Sequence, residues 1–256
     1  MQDNATRYAD WAPDAALALF GLVLVIGLIG LAMVYAQRRR LREEAKKATT
    51  QRSLEDRTRF QSLRPARWLA IKSTNPMVVQ SALGLQNLKP CSWQEGLEQA
   101  QDRSILVSPP VDGWILVTGG GVPSPEHDVD ACFHLLQRLS RDLGSVQFFS
   151  MHPALDHHAW AMAHEGTVVR AYAWSGGTLW NQGNPTPAER QLQLHFADYG
   201  ERTETLTETQ QDQVSANTEK VAKLAAAWSI DPATAMGKLD AERRSVLGHL
   251  VSAKNR

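Results

Sequence analysis

Along the chain, hydrophobic and polar positions fall into one long apolar block, one charged block, and a mixed region where apolar residues recur at helix or strand spacing. The apolar block, AALALFGLVLVIGLIGLAMVY, runs from Ala15 to Tyr35, 21 residues without a charge. As a helix it reaches across roughly 30 Å of hydrocarbon with every backbone polar group bonded internally. A cleaved leader is the competing reading, with Val34-Tyr35-Ala36 as a small-residue cleavage site. The preceding tail, residues 1–14, is acidic (Asp3, Asp10 and Asp14 against Arg7), and the block is too long for the apolar core of a leader. The sequence therefore predicts a retained transmembrane helix over residues 15–35.

Residues 36–65 are charged and permit helix, which reads as a juxtamembrane stalk closed by Pro65. The mixed region then predicts a globular domain over residues 66–200. WLAIKS (Trp68–Ser73) is a short strand, and Asn75-Pro76 supplies a cap and a first-turn proline for a helix ending at Leu83 before Gly84. SWQE (Ser92–Glu95) has capping-box spacing. SILVSPPV and WILVTG flank Asp112-Gly113, a two-residue turn signal; Pro109 and Pro110 donate no ladder bonds, so the first arm should be an edge or stop early.

From Asp128 to Leu143, Val129, Cys132, Phe133, Leu136, Leu139 and Leu143 form one helical stripe, closed by Gly144. VQFFSMH is a strand, AWAMAHEGTVVRAYAW a hairpin about Glu165-Gly166, and TLWNQG a last short strand. TPAE (Thr186–Glu189) opens a helix to about Leu194. Residues 201–217 read as a polar linker, and residues 218–256 as a helical hairpin. Its first arm carries Val221, Leu224, Ala225 and Trp228; its second, capped by Asp231-Pro232, carries Met236, Leu239, Val246, Leu247 and Leu250. The expected fold is α+β: a single transmembrane helix, then a mostly antiparallel sheet of about five or six strands with helices on one face, then the C-terminal helical pair.

Composition adds an orientation. The formal net charge of zero hides a division: residues 1–36 carry one basic and three acidic side chains, residues 37–67 eleven and four, and residues 68–256 fifteen and twenty. Arg38, Arg39, Arg40, Arg42, Lys46 and Lys47 follow the apolar block directly, which places everything after it on the cytoplasmic side of a plasma or inner membrane, with the short tail outside. These six cations are expected to contact anionic headgroups of the bilayer. No aromatic residues interleave them and an acidic domain follows, so nucleic acid is not an expected partner. Gly21, Gly27 and Gly30 offer close-approach points for a second copy of the helix, without a GxxxG. Cys91 and Cys132 lack CxxC spacing and read as thiols packed in the interior.

The most suggestive chemistry lies in HPALDHHAWAMAHEG, His152 to Gly166, with four of the eight histidines beside Asp156. On a strand His157 and His158 point to opposite faces, while His158 and His164 are roughly 20 Å apart, so the stretch is not a metal site by itself and no cofactor is expected. Asp156, His157 and His158 remain the catalytic candidates, with Asp156 orienting an imidazole toward Cys91 or Ser150. His127, Asp130 and His134 share a helix face with Arg138 and Arg141 opposite the apolar stripe, which reads as a solvated face. Gly119-Gly120-Gly121 lacks both the P-loop ending and GxGxxG spacing and reads as a strand-end loop.

Aromatic residues suggest an interface instead. A two-residue turn pairs Trp160 with Ala171 and Met162 with Val169, while Ala161–Arg170, Ala159–Tyr172 and His157–Trp174 fall on the other face. Trp160 and Trp174 then lie on opposite faces, and one face needs a layer or partner beyond the domain's own helices. Trp160, Arg170, Tyr172, Trp174, Trp180 and Trp228 are the expected partner-binding residues. The sequence thus favours a membrane-anchored, non-catalytic scaffold domain, an accessory subunit of a membrane complex. The alternatives are a tethered hydrolase dependent on histidine or metal, and a self-associating structural anchor.

Overall fold

A computed structural model describes residues 65–236, 238 and 244–250. The acidic tail, the apolar block, the basic stalk up to residue 64 and Leu239 lie outside the described residues. Among the described residues no helix is long and apolar enough to cross a membrane.

In chain order the elements are β1 (Arg67–Lys72), α1 (Pro76–Leu83), β2 (Leu85–Cys91), α2 (Trp93–Gln99), β3 (Ser104–Val107), β4 (Trp114–Thr118), α3 (Val129–Leu143) and β5 (Ser145–His152). They continue with β6 (His157–His164), β7 (Thr167–Ser175), β8 (Thr178–Gln182), α4 (Pro187–Gln191), α5 (Glu208–Ser215), α6 (Asn217–Trp228), α7 (Pro232–Met236) and β9 (Ser245–Leu250). The fold is α+β, with nine antiparallel strands in one sheet ordered β2-β9-β3-β4-β1-β5-β6-β7-β8.

Local signals set most boundaries. The Asn75 side chain accepts from the Met77 N–H at 3.0 Å, Pro76 takes the first helical position, and Gly84 leaves α1 in the left-handed region at φ 67°. Ser92 and Glu95 form the reciprocal capping box of α2, and Asp128 caps α3 through the Ala131 N–H at 2.8 Å. Asp112 and Gly113, at φ 50° and 81°, turn β3 into β4, with Val111 and Trp114 exchanging both backbone bonds. β3 stops at Val107, ahead of the two prolines, but it is not an edge, because β9 pairs with its other side.

Three expectations fail, each for a non-local reason. Val246, Leu247 and Leu250 stand on strand β9, not on a second helix. Their spacing fits either element, and what decides is the slot between β2 and β3: Gly248 faces Ile105, and a Cβ there would lie 2.9 Å from Leu88 Cδ2. The polar stretch 201–217 is not a linker: Thr207 and Gln210 cap α5, Val214 is buried, and Arg202 bridges to Gly177. Helices also cover both faces of the sheet, not one. α1 and α3 pack with Leu69, Ile71, Val117 and Phe148, while α2, α5, α6 and α7 pack with Trp68, Leu116, Phe149 and Trp160.

The β6–β7 hairpin shows why the faces were misread. At the tip, His164 pairs with Thr167 and Ala163 with Val168, as a two-residue turn at Glu165-Gly166 requires. A bulge then shifts the register by one, so Met162 pairs with Arg170, Ala161 with Ala171 and Trp160 with Tyr172. Val169 is the extra residue, and it is exposed. Its carbonyl oxygen would stand 2.2 Å from a Cβ at Gly183, whose φ is 73°, so the close approach of β8 to the bulge requires a glycine. The one-residue slip puts His158, Trp160, Arg170, Tyr172 and Trp174 on the same face of the sheet, with Ala159, Ala161 and Ala171 on the other.

Candidate functional site

The sheet ends that carry the histidine stretch hold two distinct groups of polar side chains, one on each face. His157 points to the α3 face. Its Nε2 lies 3.1 Å from Ser150 Oγ, across the β5–β6 pair, and both residues are buried. With Arg67, Glu126 and His152 they line a cleft of about 270 Å³ at the ends of β1, β5 and β6. Burial pushes His157 below the usual imidazole value, opposed by the Glu126 carboxylate and the Trp174 backbone. His157 Nδ1 and Arg67 Nε are both buried without a hydrogen-bond partner. Arg67 is itself lowered from the ordinary arginine value, chiefly by burial.

His158 points to the opposite face, as strand alternation requires, so the adjacent histidines do not share a site. Its Nδ1 lies 3.0 Å from Thr218 Oγ1 on α6, its ring stacks with Trp160 and Tyr172, and Nε2 has no partner. Burial pushes its pKa down to about 3, with a smaller contribution from His157. Asp156 orients neither imidazole. Its Oδ2 accepts from Trp174 Nε1 at 3.2 Å and from Ser215 Oγ at 2.8 Å, tying the short turn before β6 (Pro153–Leu155) to β7 and α5. Of the three catalytic candidates, only His157 meets a hydroxyl that lines a cleft.

The expected partner-binding residues are interior. Trp160, Arg170, Tyr172 and Trp174 are fully buried beneath the chain's own helices, Trp180 is buried on the α3 face, and Trp228 is half-buried against Phe149. Sequence reasoning missed the group that organises them. Glu189, wholly buried on α4, accepts from Arg170 Nε at 2.8 Å and from Trp160 Nε1 at 2.7 Å through Oε1, while Oε2 accepts the Thr186 N–H. Arg170 Nη1 also faces the Asn181 side chain and the carbonyls of Ala171, Gln182 and Gly183, and its guanidinium lies over the Phe196 ring at 4.8 Å. The capping-box spacing Thr186–Glu189 was the available signal, but the spacing says nothing of a cross-strand arginine.

The remaining candidates are separate. Cys132 is buried, and burial pushes its thiol up to about 12; Cys91 is half-buried and also raised. The three glycines serve close backbone approach: a Cβ at Gly120 would stand 2.2 Å from the Asp102 carbonyl oxygen, and one at Gly119 2.3 Å from that of Ser104. Among the described residues no group of histidine, cysteine and carboxylate side chains is placed to hold a metal ion. No protein-family model, curated protein or solved structure matches the chain.

Proposed function

We propose that the chain is a membrane-tethered binding domain, an accessory subunit that holds a partner protein at the cytoplasmic side of the bilayer. The apolar block and its six flanking cations supply the tether. The observation that carries the reading is the β2 end of the sheet. β2 is a terminal strand with an exposed face, and Met77 (72% exposed), Val78 (47%) and Leu88 (46%) stand out from α1 and β2 there. Lys89, Pro90 and the bulge between Gln86 and Lys89 are devices that discourage strand addition, so the partner docks by its side chains on Leu88 and Met77. The test is photo-crosslinking from position 88 in intact membranes. A single protein captured from position 88, and lost with Met77→Asp, supports the reading. A photoprobe that captures only lipid or nothing refutes it.

One contact favours a second reading, a tethered serine hydrolase. Ser150 Oγ and His157 Nε2 are within hydrogen-bond reach in a cleft, and a neutral imidazole can take the hydroxyl proton as the oxygen attacks an acyl carbonyl. A fluorophosphonate probe that labels the full-length protein, with labelling lost in both Ser150→Ala and His157→Gln, would support it; an unlabelled wild type refutes it.

A further inference from the structure

The strongest unassigned feature is a cavity of about 480 Å³ on the α3 face. It shares no lining residue with the His157 cleft and lies beside the β2 end of the sheet, since Leu83 is on α1 with Met77 and Leu250 pairs with Leu85 of β2. Its floor is apolar: Leu83 from α1, Ile105 from β3, Val122, Leu135 from α3 and Leu250 from β9. Its rim is cationic or neutral. Arg138, Arg141, His134 and Gln137 line it, and among the described residues no aspartate or glutamate does. The face that the sequence presents as merely solvated is therefore one wall of a pocket. Its volume lies in the range of small-molecule sites. Gly121 packs closely on that floor: a Cβ there would stand 2.9 Å from Ile105 Cγ1 and 3.0 Å from Leu250 Cδ1.

The two arginines differ in what they already hold. Arg138 Nη1 donates to the Ala82 carbonyl at 2.6 Å and so ties α3 to the end of α1. Arg141 is exposed, lies along Gly166, and forms no ion pair among the described residues. An arginine with a free fork at the mouth of an apolar pocket matches a carboxylate or phosphate carried on an apolar chain.

We propose that this cavity binds an amphipathic anion, an acyl chain lying on the Leu83–Ile105–Leu135 floor with its acidic head at Arg141 and Arg138. The proposal does not rest on the partner-binding reading. A free fatty acid and an anionic lipid present the same chemistry, and the test separates them. The full-length protein in neutral-lipid nanodiscs is titrated calorimetrically with octanoate, octyl phosphate and octylammonium, with empty discs as the reference. Saturable binding of either anion but not the cation is the expected result. Tighter octanoate marks a fatty acid, and tighter octyl phosphate a lipid headgroup. Arg141→Glu should weaken the anion about tenfold or more, as loss and reversal of a charge-assisted contact require. Leu135→Trp should fill the pocket and abolish binding with the thermal transition retained. Equal binding of the cation, an unchanged affinity in Arg141→Glu, or no heat above empty discs at millimolar anion would overturn the proposal. So would binding that emerges only when residues 251–256 are deleted, because the tail would then be the occupant.

Discussion

Protonating His158 should destabilise the domain, and the size of the effect follows from its surroundings. The ring is fully buried, packed against both Trp160 and Tyr172, with Thr218 as its partner. Its pKa is held at about 3, against about 6.5 in the unfolded chain. A base whose folded pKa is depressed takes up a proton on unfolding, so its stabilising effect is complete above about pH 6.5 and declines as pH falls toward 3. Each pH unit within that window costs about 1.4 kcal/mol, so pH 5, one and a half units in, should cost about 2 kcal/mol relative to pH 7.5. His157, also lowered, adds to the effect in the same direction. Urea unfolding of the full-length protein in micelles, followed by tryptophan fluorescence, reads the loss as a lower midpoint at unchanged slope. His158→Asn removes the titrating group, so its midpoint should vary less with pH, whatever its absolute stability. A wild-type midpoint that is flat from pH 7.5 to 5, or a variant with the same pH dependence, would refute the reasoning.

Other outcomes follow from the interior. Glu189→Ala leaves Arg170 charged and buried and should cost about 3–5 kcal/mol in the same unfolding assay, whereas the double variant Arg170→Met, Glu189→Leu should recover much of that loss. Gly120→Ala, whose Cβ would meet the Asp102 carbonyl at 2.2 Å, should cost about 1–3 kcal/mol as strain, and a fully stable variant would contradict the close approach. Cys132, buried and raised to about 12, should stay unlabelled by iodoacetamide at pH 8 until urea is added, while half-buried Cys91 reacts slowly, as mass spectrometry of the peptides would show.

What the sequence revealed was what local chemistry determines. Asn75, Ser92, Asp128 and Thr186 cap the helices they precede, and Asp112-Gly113 and Glu165-Gly166 turn the hairpins, because each signal acts within a few residues. The errors arose where distant parts of the chain decide. Ser245–Leu250 is a strand because it completes β2 and β3, which lie more than a hundred residues earlier. The bulge at Val169 is set by Gly183 beyond the hairpin, and that one extra residue moved the aromatic side chains onto one face. A second apolar face was legible in the hairpin; the layer that covers it includes α6, the expected first arm of the C-terminal pair, and α5, from the stretch whose polarity suggested a linker. At the candidate site, strand alternation alone separates His157 from His158, and of the two nucleophiles the sequence offers an imidazole, Cys91 and Ser150, it is Ser150 that His157 meets. Asp156 was misassigned because its carboxylate is claimed by Trp174 and by Ser215, 59 residues away.

The proposed function has a protein partner dock on the β2 end of a membrane-tethered domain. The most direct measurement is quantitative mass spectrometry of proteins co-purified with the tagged full-length chain from crosslinked membranes, comparing wild type with Met77→Asp, Leu88→Asp. Both side chains are largely exposed, so the fold should tolerate the change, and circular dichroism verifies it. One stoichiometric partner is expected with the wild type, depleted about tenfold in the variant, while membrane association is unchanged. Equal recovery of the same proteins by both would contradict it.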